Sequence, residues 1–323
     1  MFYPLTFHPL LKERVWGGRN LERLYRKPLP GVVPIGESWE ITDRPEGVSV
    51  VANGPLAGRT LRGLMERHAT DLLGPASAPG GRFPLLIKIL DAEEKLSLQV
   101  HPPARCAVAL GGEPKTEMWY VAEGRPGAGL FAGLRRGTTR ADFERKMKDS
   151  TVVDCFHRIE VRHGDAMFLP SGRVHALGAG NVIFEIQQNS DTTYRVFDWN
   201  RVGLDGQARA LHVEQSLACI DFNDFEPGLV ASAWQSKDGV QVKRLAEDPL
   251  FTVDLVRAPG PIPWRTSTGV ATVLGVLHGA LTVRGGGQQV IVEPGGFCLL
   301  PAGLNDPEVE LQRDTEFLTI LPG

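Results

Sequence analysis

A fold dominated by β-strands, built as two similar units with a few peripheral helices, is what this chain predicts. Three observations carry that expectation. Short apolar or alternating stretches recur along the sequence, separated by Gly/Pro/Asp clusters. The 37 glycines and 24 prolines among 323 residues suit many short strands joined by tight turns rather than a helical protein. The third is an internal repeat: Gly295–Asp306 reproduces Gly164–His175 position for position, and Thr272–Gly279 reproduces Glu117–Gly124.

Taken in order, Thr60–Leu73 reads as a helix with Leu61, Leu64 and Leu72 on one side. Phe83–Leu90 is a buried strand, and Glu117–Gly124 is a strand closed by a glycine turn. Arg140–Asp149 is a second helix, introduced by capping threonines. Ala166–Leu169 is a short apolar strand, Asn181–Gln187 an alternating one, and His212–Ile220 a third helix. The helices are expected outside the strand-built units as supports. A chain of this length exceeds one small barrel and suggests two domains, placed at residues 1–235 and 236–323. The N-terminal strands are free to pack with either.

Charge and cysteine usage narrow the function. Lys+Arg 35 against Asp+Glu 38 leaves a net charge of -3, so no global basic field exists to gather nucleic acid. Any phosphate must be recognised locally. Cys106, Cys155, Cys219 and Cys298 have no short paired spacing, which argues for reduced thiols and against a thiolate metal site or a disulfide framework. The N-terminal residues carry no basic segment before an apolar core, and no apolar run reaches membrane-spanning length. A cytoplasmic protein without a membrane or nucleic-acid partner is expected, as a monomer or homodimer.

Two half-patterns describe one divalent-metal site: Gln99-Val100-His101 followed by Glu117, and Gly164 through Pro170 and Gly172 to His175. Two imidazoles, a carboxylate and an amide oxygen form a mixed N/O set without thiolate, which suits zinc or a similar first-row cation and leaves positions for water and substrate. Lone histidines on strands are more often simply hydrogen-bonded, and His8, His68, His157, His163, His212 and His278 belong there. The repeat has lost the ligands: Thr272 stands where Glu117 stood, and Asp306 where His175 stood.

These motifs resemble those of the cupin superfamily, whose members are jelly-roll β-barrels. Gln99 replaces the first histidine of the usual His-x-His. Within that superfamily, Leu96–Pro102, Lys115–Tyr120, Val174–Ala176 and Glu185–Arg195 resemble type I phosphomannose isomerase, as do Trp16-Gly17-Gly18 and Gly36–Glu40. The likeness spans about the first two thirds of the chain and fits the shorter bacterial branch. It implies a bicupin: a first barrel holding one Zn2+ (or another divalent metal) through Gln99, His101, Glu117 and His175, and a second, degenerate barrel without metal.

The resemblance also implies a sugar-phosphate substrate and aldose-ketose isomerisation, mannose 6-phosphate to fructose 6-phosphate through an enediol. The alternatives are another aldose phosphate, free mannose, or a non-catalytic sugar-binding bicupin. A base must move the proton between C2 and C1 while the developing charge is stabilised. Glu185, Lys115 and Arg195 are the catalytic candidates, with base and electrophile unassigned among them. Lys115 lies two residues before Glu117, so strand alternation points both to one face. Ser97, Lys115 and Arg195 are the substrate-binding candidates, with Arg173 and Arg201 as further phosphate binders.

Overall fold

The computed structural model describes residues 2–266 and 268–323. Its strands form two pairs of antiparallel sheets. In the N-terminal pair, a 6-stranded sheet runs in the order Ala166–Leu169, Glu117–Gly124, Asn181–Gln188, Leu85–Ala92, Ile35–Ile41 and Leu10–Gly18. A 5-stranded sheet faces it, ordered Phe156–Glu160, Gly129–Leu134, His175–Leu177, Leu98–Val100 and Tyr194–Phe197. The C-terminal 6-stranded sheet runs Phe297–Leu300, Thr272–His278, Thr315–Pro322, Phe251–Ala258, Val240–Asp248 and Gln235–Lys237. Its 4-stranded companion runs Gln288–Val292, Leu281–Gly285, Glu308–Leu311 and Ile262–Trp264.

The repeat read from the motifs extends through the hydrogen-bond register. Glu117 pairs with Leu169 as Thr272 pairs with Leu300. Glu185 pairs with Lys88 as Thr319 pairs with Asp254. Even the irregularity recurs: Val121 faces Ile183 and Glu123 faces Val182, just as Val276 faces Phe317 and His278 faces Glu316. A strand bulge kept in both copies bends the two sheets alike.

The large sheets are buried on both faces, which explains why their strands read as near-continuous apolar runs. Leu85, Ile87, Ile89, Met118, Tyr120, Phe184 and Ile186 join Phe251, Val253, Leu255, Val273, Leu318 and Ile320 in one core between the two halves. The alternate residues turn inward. Leu90, Trp119, Val121 and Ile183 fill the N-terminal half beneath the smaller sheet. Val256, Leu274, Val276 and Phe317 do the same in the C-terminal half. This alternation decides which polar residues enter each interior.

Helices occur at Leu61–Leu73, Arg140–Lys148 and Val213–Cys219, close to the expected bounds. Thr60 and Thr139 cap the first two by accepting the Gly63 and Asp142 amides at 3.1 Å. Short helices at Asn20–Tyr25 and Ala104–Ala107 were not expected, having too few residues to display a period. The strand expected at 83–90 runs over Leu85–Ala92 instead. The Phe83 amide is held by the Asp43 carboxylate at 2.9 Å and Pro84 has no donor, so the ladder starts later. The N-terminal segment touches both halves: Leu10–Gly18 joins the first large sheet, while Leu5 exchanges both backbone hydrogen bonds with Leu299. All four cysteines are free thiols, and Cys106 and Cys219 meet at 3.6 Å although 113 residues apart. No described helix is long and apolar enough to cross a membrane.

Candidate metal centre and cavity

Inward-facing Glu117 on the large sheet meets two histidines from the smaller one. Gln99 and His175 are paired across neighbouring strands, and Arg195 pairs with Gln99 from the other side. The turn before His175 is set by Gly172, whose φ of 93° suits a residue without Cβ and whose amide donates to the His101 carbonyl at 2.9 Å. That bond ties the two ligand-bearing loops together. His101 Nε2 lies 3.3 Å from one Glu117 oxygen and His175 Nε2 3.2 Å from the other. One ligand atom from each of the three residues falls within 4.8 Å of the others, and all three residues are buried.

The tautomers follow from the surroundings. His101 Nδ1 donates to the Thr192 carbonyl at 2.8 Å and His175 Nδ1 to the Arg173 carbonyl at 2.9 Å. Both rings therefore turn Nε2 toward Glu117. Burial, with Lys115 adding to it, pushes the His101 pKa down to about 3, so this imidazole is neutral at physiological pH. Burial disfavours a charged Glu117, but the Lys115 ammonium at 3.0 Å outweighs it and holds the carboxyl well below its usual range. The neutral His101 ring thus turns a lone pair toward a carboxylate. Apart from the Lys115 ion pair to one Glu117 oxygen, His101 Nε2 and the Glu117 oxygens have no hydrogen-bond partner among the described residues. Buried acceptors are rarely left this way. A dication satisfies all of them, so the donor set fits a metal. Gln99 stands in the same cluster, its amide 3.3 Å from His175 Nε2. Amide O and N are interchangeable in outline, so either end of that group can face the centre.

A cavity of about 580 Å3 opens over the cluster, within the range of small-molecule sites. Ser97, Gln99, Lys115, Glu185 and Arg195 all line it, as do Trp16 and Asp191. Ser97 Oγ reaches Gln99 at 3.4 Å. Arg195 rests one guanidinium nitrogen on the Ala210 carbonyl at 2.7 Å and has no carboxylate partner among the described residues. Arg173 and Arg201 do not line the cavity. Arg173 is spent on a two-pronged pair with Asp224, and Arg201 is drawn to Asp198 and the Lys95 carbonyl. Besides Arg195, the arginines that reach the cavity are Arg14 and Arg209.

Lys88 and Glu37 were missed as site residues. Lys88 is 3% exposed, and its ammonium lies 3.3 Å from Glu185, 3.6 Å from Asp191 and 3.7 Å from Glu37. Its signal was in plain view: one lysine inside the apolar run Leu85–Leu90. The Glu185 carboxyl is raised by burial, against the pull of Lys88, and accepts from Trp119 Nε1 at 2.9 Å. Glu37 is buried too, yet Lys88 and Arg14 overcome the desolvation and lower its pKa to about 2 from 4.5. A carboxyl whose folded value is depressed contributes stability above its unfolded pKa and loses it as pH falls through the folded one. We therefore expect about 3 kcal/mol of stability to disappear between about pH 4.5 and pH 2. Thermal melts across that window check it, and Glu37→Gln should flatten the slope.

A family description, Phosphomannose isomerase type I, catalytic domain, matches residues 5–124. A mannose-6-phosphate isomerase of Streptococcus mutans is 35% identical over 302 residues, covering 93% of this chain and 93% of its own length. Mannose-6-phosphate isomerase ManA of Bacillus subtilis is 34% identical over 310 residues, covering 95% and 96%. Among solved structures, the mannose 6-phosphate isomerase from Bacillus subtilis superposes with a TM-score of 0.89 at 28% identity, over 99% of both chains.

Proposed function

This chain belongs to the type I phosphomannose isomerase family and interconverts mannose 6-phosphate and fructose 6-phosphate, and on that premise we propose how its residues divide the work. Gln99, His101, Glu117 and His175 would hold one zinc ion; the acceptors around Glu117 that lack hydrogen bonds support this assignment. When bound, such an ion supplies a Lewis acid for the sugar oxygens at C1 and C2, where negative charge develops. We read the two halves as a bicupin, with residues 1–235 forming the metal-binding barrel and 236–323 the metal-free one. The enzyme works in the cytoplasm, where charged sugar phosphates are retained.

Glu185 is the base. It lines the cavity, and its burial raises the carboxyl toward the range in which a base takes a proton from C2 and returns it to C1. Trp119 and Lys88 fix its two oxygens. Lys115, held 3.0 Å from Glu117, points its side-chain nitrogen to where the enediolate charge develops. Arg195 is the cavity's cation without a carboxylate, and its planar fork holds the substrate's anionic oxygen on the side of Gln99 and Ser97. Arg209 on the same wall is held by Asp198 through two bonds, at 2.7 and 2.6 Å.

The test is coupled turnover of mannose 6-phosphate by protein stripped with chelator and then reloaded with zinc, manganese, cobalt or iron. Turnover should vanish on stripping and return with metal. Glu185→Gln in the reloaded enzyme should lower kcat by about 100-fold to 10,000-fold, the usual range for a lost general base. It should also stop exchange of the substrate C2 hydrogen with solvent. Unchanged exchange would remove Glu185 from the role.

A further inference from the structure

The C-terminal half encloses a second cavity, of about 720 Å3, lined by Asp254, Thr272, Thr319 and Trp264 with Val242 and Leu321. Register puts it where the first half has its catalytic cavity. Thr272 occupies the place of Glu117, Thr319 that of Glu185 and Asp254 that of Lys88. All three face inward by the same alternation that brings Glu117, Glu185 and Lys88 together.

The substitutions change the chemistry of the site without filling it. One carboxylate and two hydroxyls are too poor a set to hold a divalent cation. Lys237 and Arg265 are matched by Asp238 and Asp254 on the lining, so the cavity has no surplus charge for a phosphate. Asp254 is half of an ion pair with Arg244 and keeps acceptor capacity toward the interior. Thr272 is 3% exposed, and its Oγ1 has no hydrogen-bond partner among the described residues. A buried hydroxyl facing a cavity and left unpaired asks for a polar guest. Trp264, braced edge-to-face against Phe317 at 5.9 Å, adds a broad ring to a wall that also carries Val242 and Leu321. Hydroxyls and a carboxylate beside an aromatic surface match a molecule with polar edges and apolar faces.

We infer that this cavity is a second binding site, for a neutral hexose or a polyol of that size. Asp254 and the two threonines bond its hydroxyls, and Trp264 lies against its C–H face. The inference stands on the repeat and the cavity, and it is independent of how residues are assigned in the first half.

Ligand-observed NMR titration of free mannose, and separately of mannitol, tests it. Metal-loaded enzyme is used, with the first cavity saturated by an equilibrium mixture of mannose 6-phosphate and fructose 6-phosphate. At least one of the two neutral probes should bind saturably under these conditions. Thr272→Val and Trp264→Ala should each weaken it by tenfold or more, Thr272→Ser should retain it, and kcat/KM for the isomerase should stay unchanged in all three. Absence of binding by both probes overturns the inference, as does binding that neither Thr272→Val nor Trp264→Ala alters. Because turnover of mannose 6-phosphate is read separately, failure here leaves the isomerase reading standing.

Discussion

Replacing His101 with alanine is expected to abolish metal retention and turnover together. The ring supplies one of the lone pairs aimed at the Glu117 cluster, and its Nδ1 bond to the Thr192 carbonyl fixes that aim. Without it the cation keeps fewer protein ligands, and Glu117 is left beside Lys115 and His175 alone. Loss of a single oxyanion-stabilising group costs roughly 100-fold to 1,000-fold in kcat. Losing the proposed dication should exceed that. Metal analysis after gel filtration and the coupled assay are the paired measurements. Glu117→Ala should behave alike, whereas His163→Ala should change neither. His163 is exposed and only donates to the Ala122 carbonyl. A His101→Ala protein that keeps stoichiometric metal and wild-type turnover would remove the site from where we place it.

Lys88→Met is expected to be the most destabilising change near the cavity. The ammonium sits among Glu185, Asp191 and Glu37 and over the Trp39 ring at 5.1 Å. Burial opposes its charge, but these carboxylates raise its pKa above the ordinary lysine value. A methionine of similar length keeps the packing and removes the charge. Glu185 and Glu37 then remain buried without their shared partner, which costs about 3–5 kcal/mol when one member of a buried pair is lost. Urea denaturation should show this as a lowered midpoint. Adding Glu37→Gln should recover part of the loss, because one of the buried carboxylates, left with Arg14 as its only cation among the described residues, disappears with it. Additive losses in the double variant would mean that Lys88 and Glu37 do not act as a pair.

The elements that could be read from sequence are those whose signal is local. Glu117–Gly124 and Ala166–Leu169 were legible to the residue because glycine or proline stands at their ends. The threonine-capped helices were legible because a cap and an apolar period lie within one stretch. The metal cluster was legible because its residues fall in motifs of fixed spacing. Lys88 was not, since one lysine in an apolar strand looks the same whether it snorkels to solvent or enters a cavity. Arg173 and Arg201 were misplaced for the same reason. A free arginine and one already committed to Asp224 or Asp198 have identical local sequence.

The sequence by itself determined the strand-rich class, the twofold repeat, the family and the motifs that bring His101, Glu117 and His175 together, since these are written in composition, turn residues and motif spacing. Only the tertiary structure decided which charges meet. Strand alternation sends Lys88, Glu117 and Glu185 into one interior and Asp254, Thr272 and Thr319 into the other. Pairing residues as distant as Glu37 and Lys88, or His101 and Thr192, requires the sheets to close. Electrostatic energy depends on distance and burial, and neither exists until the chain has folded.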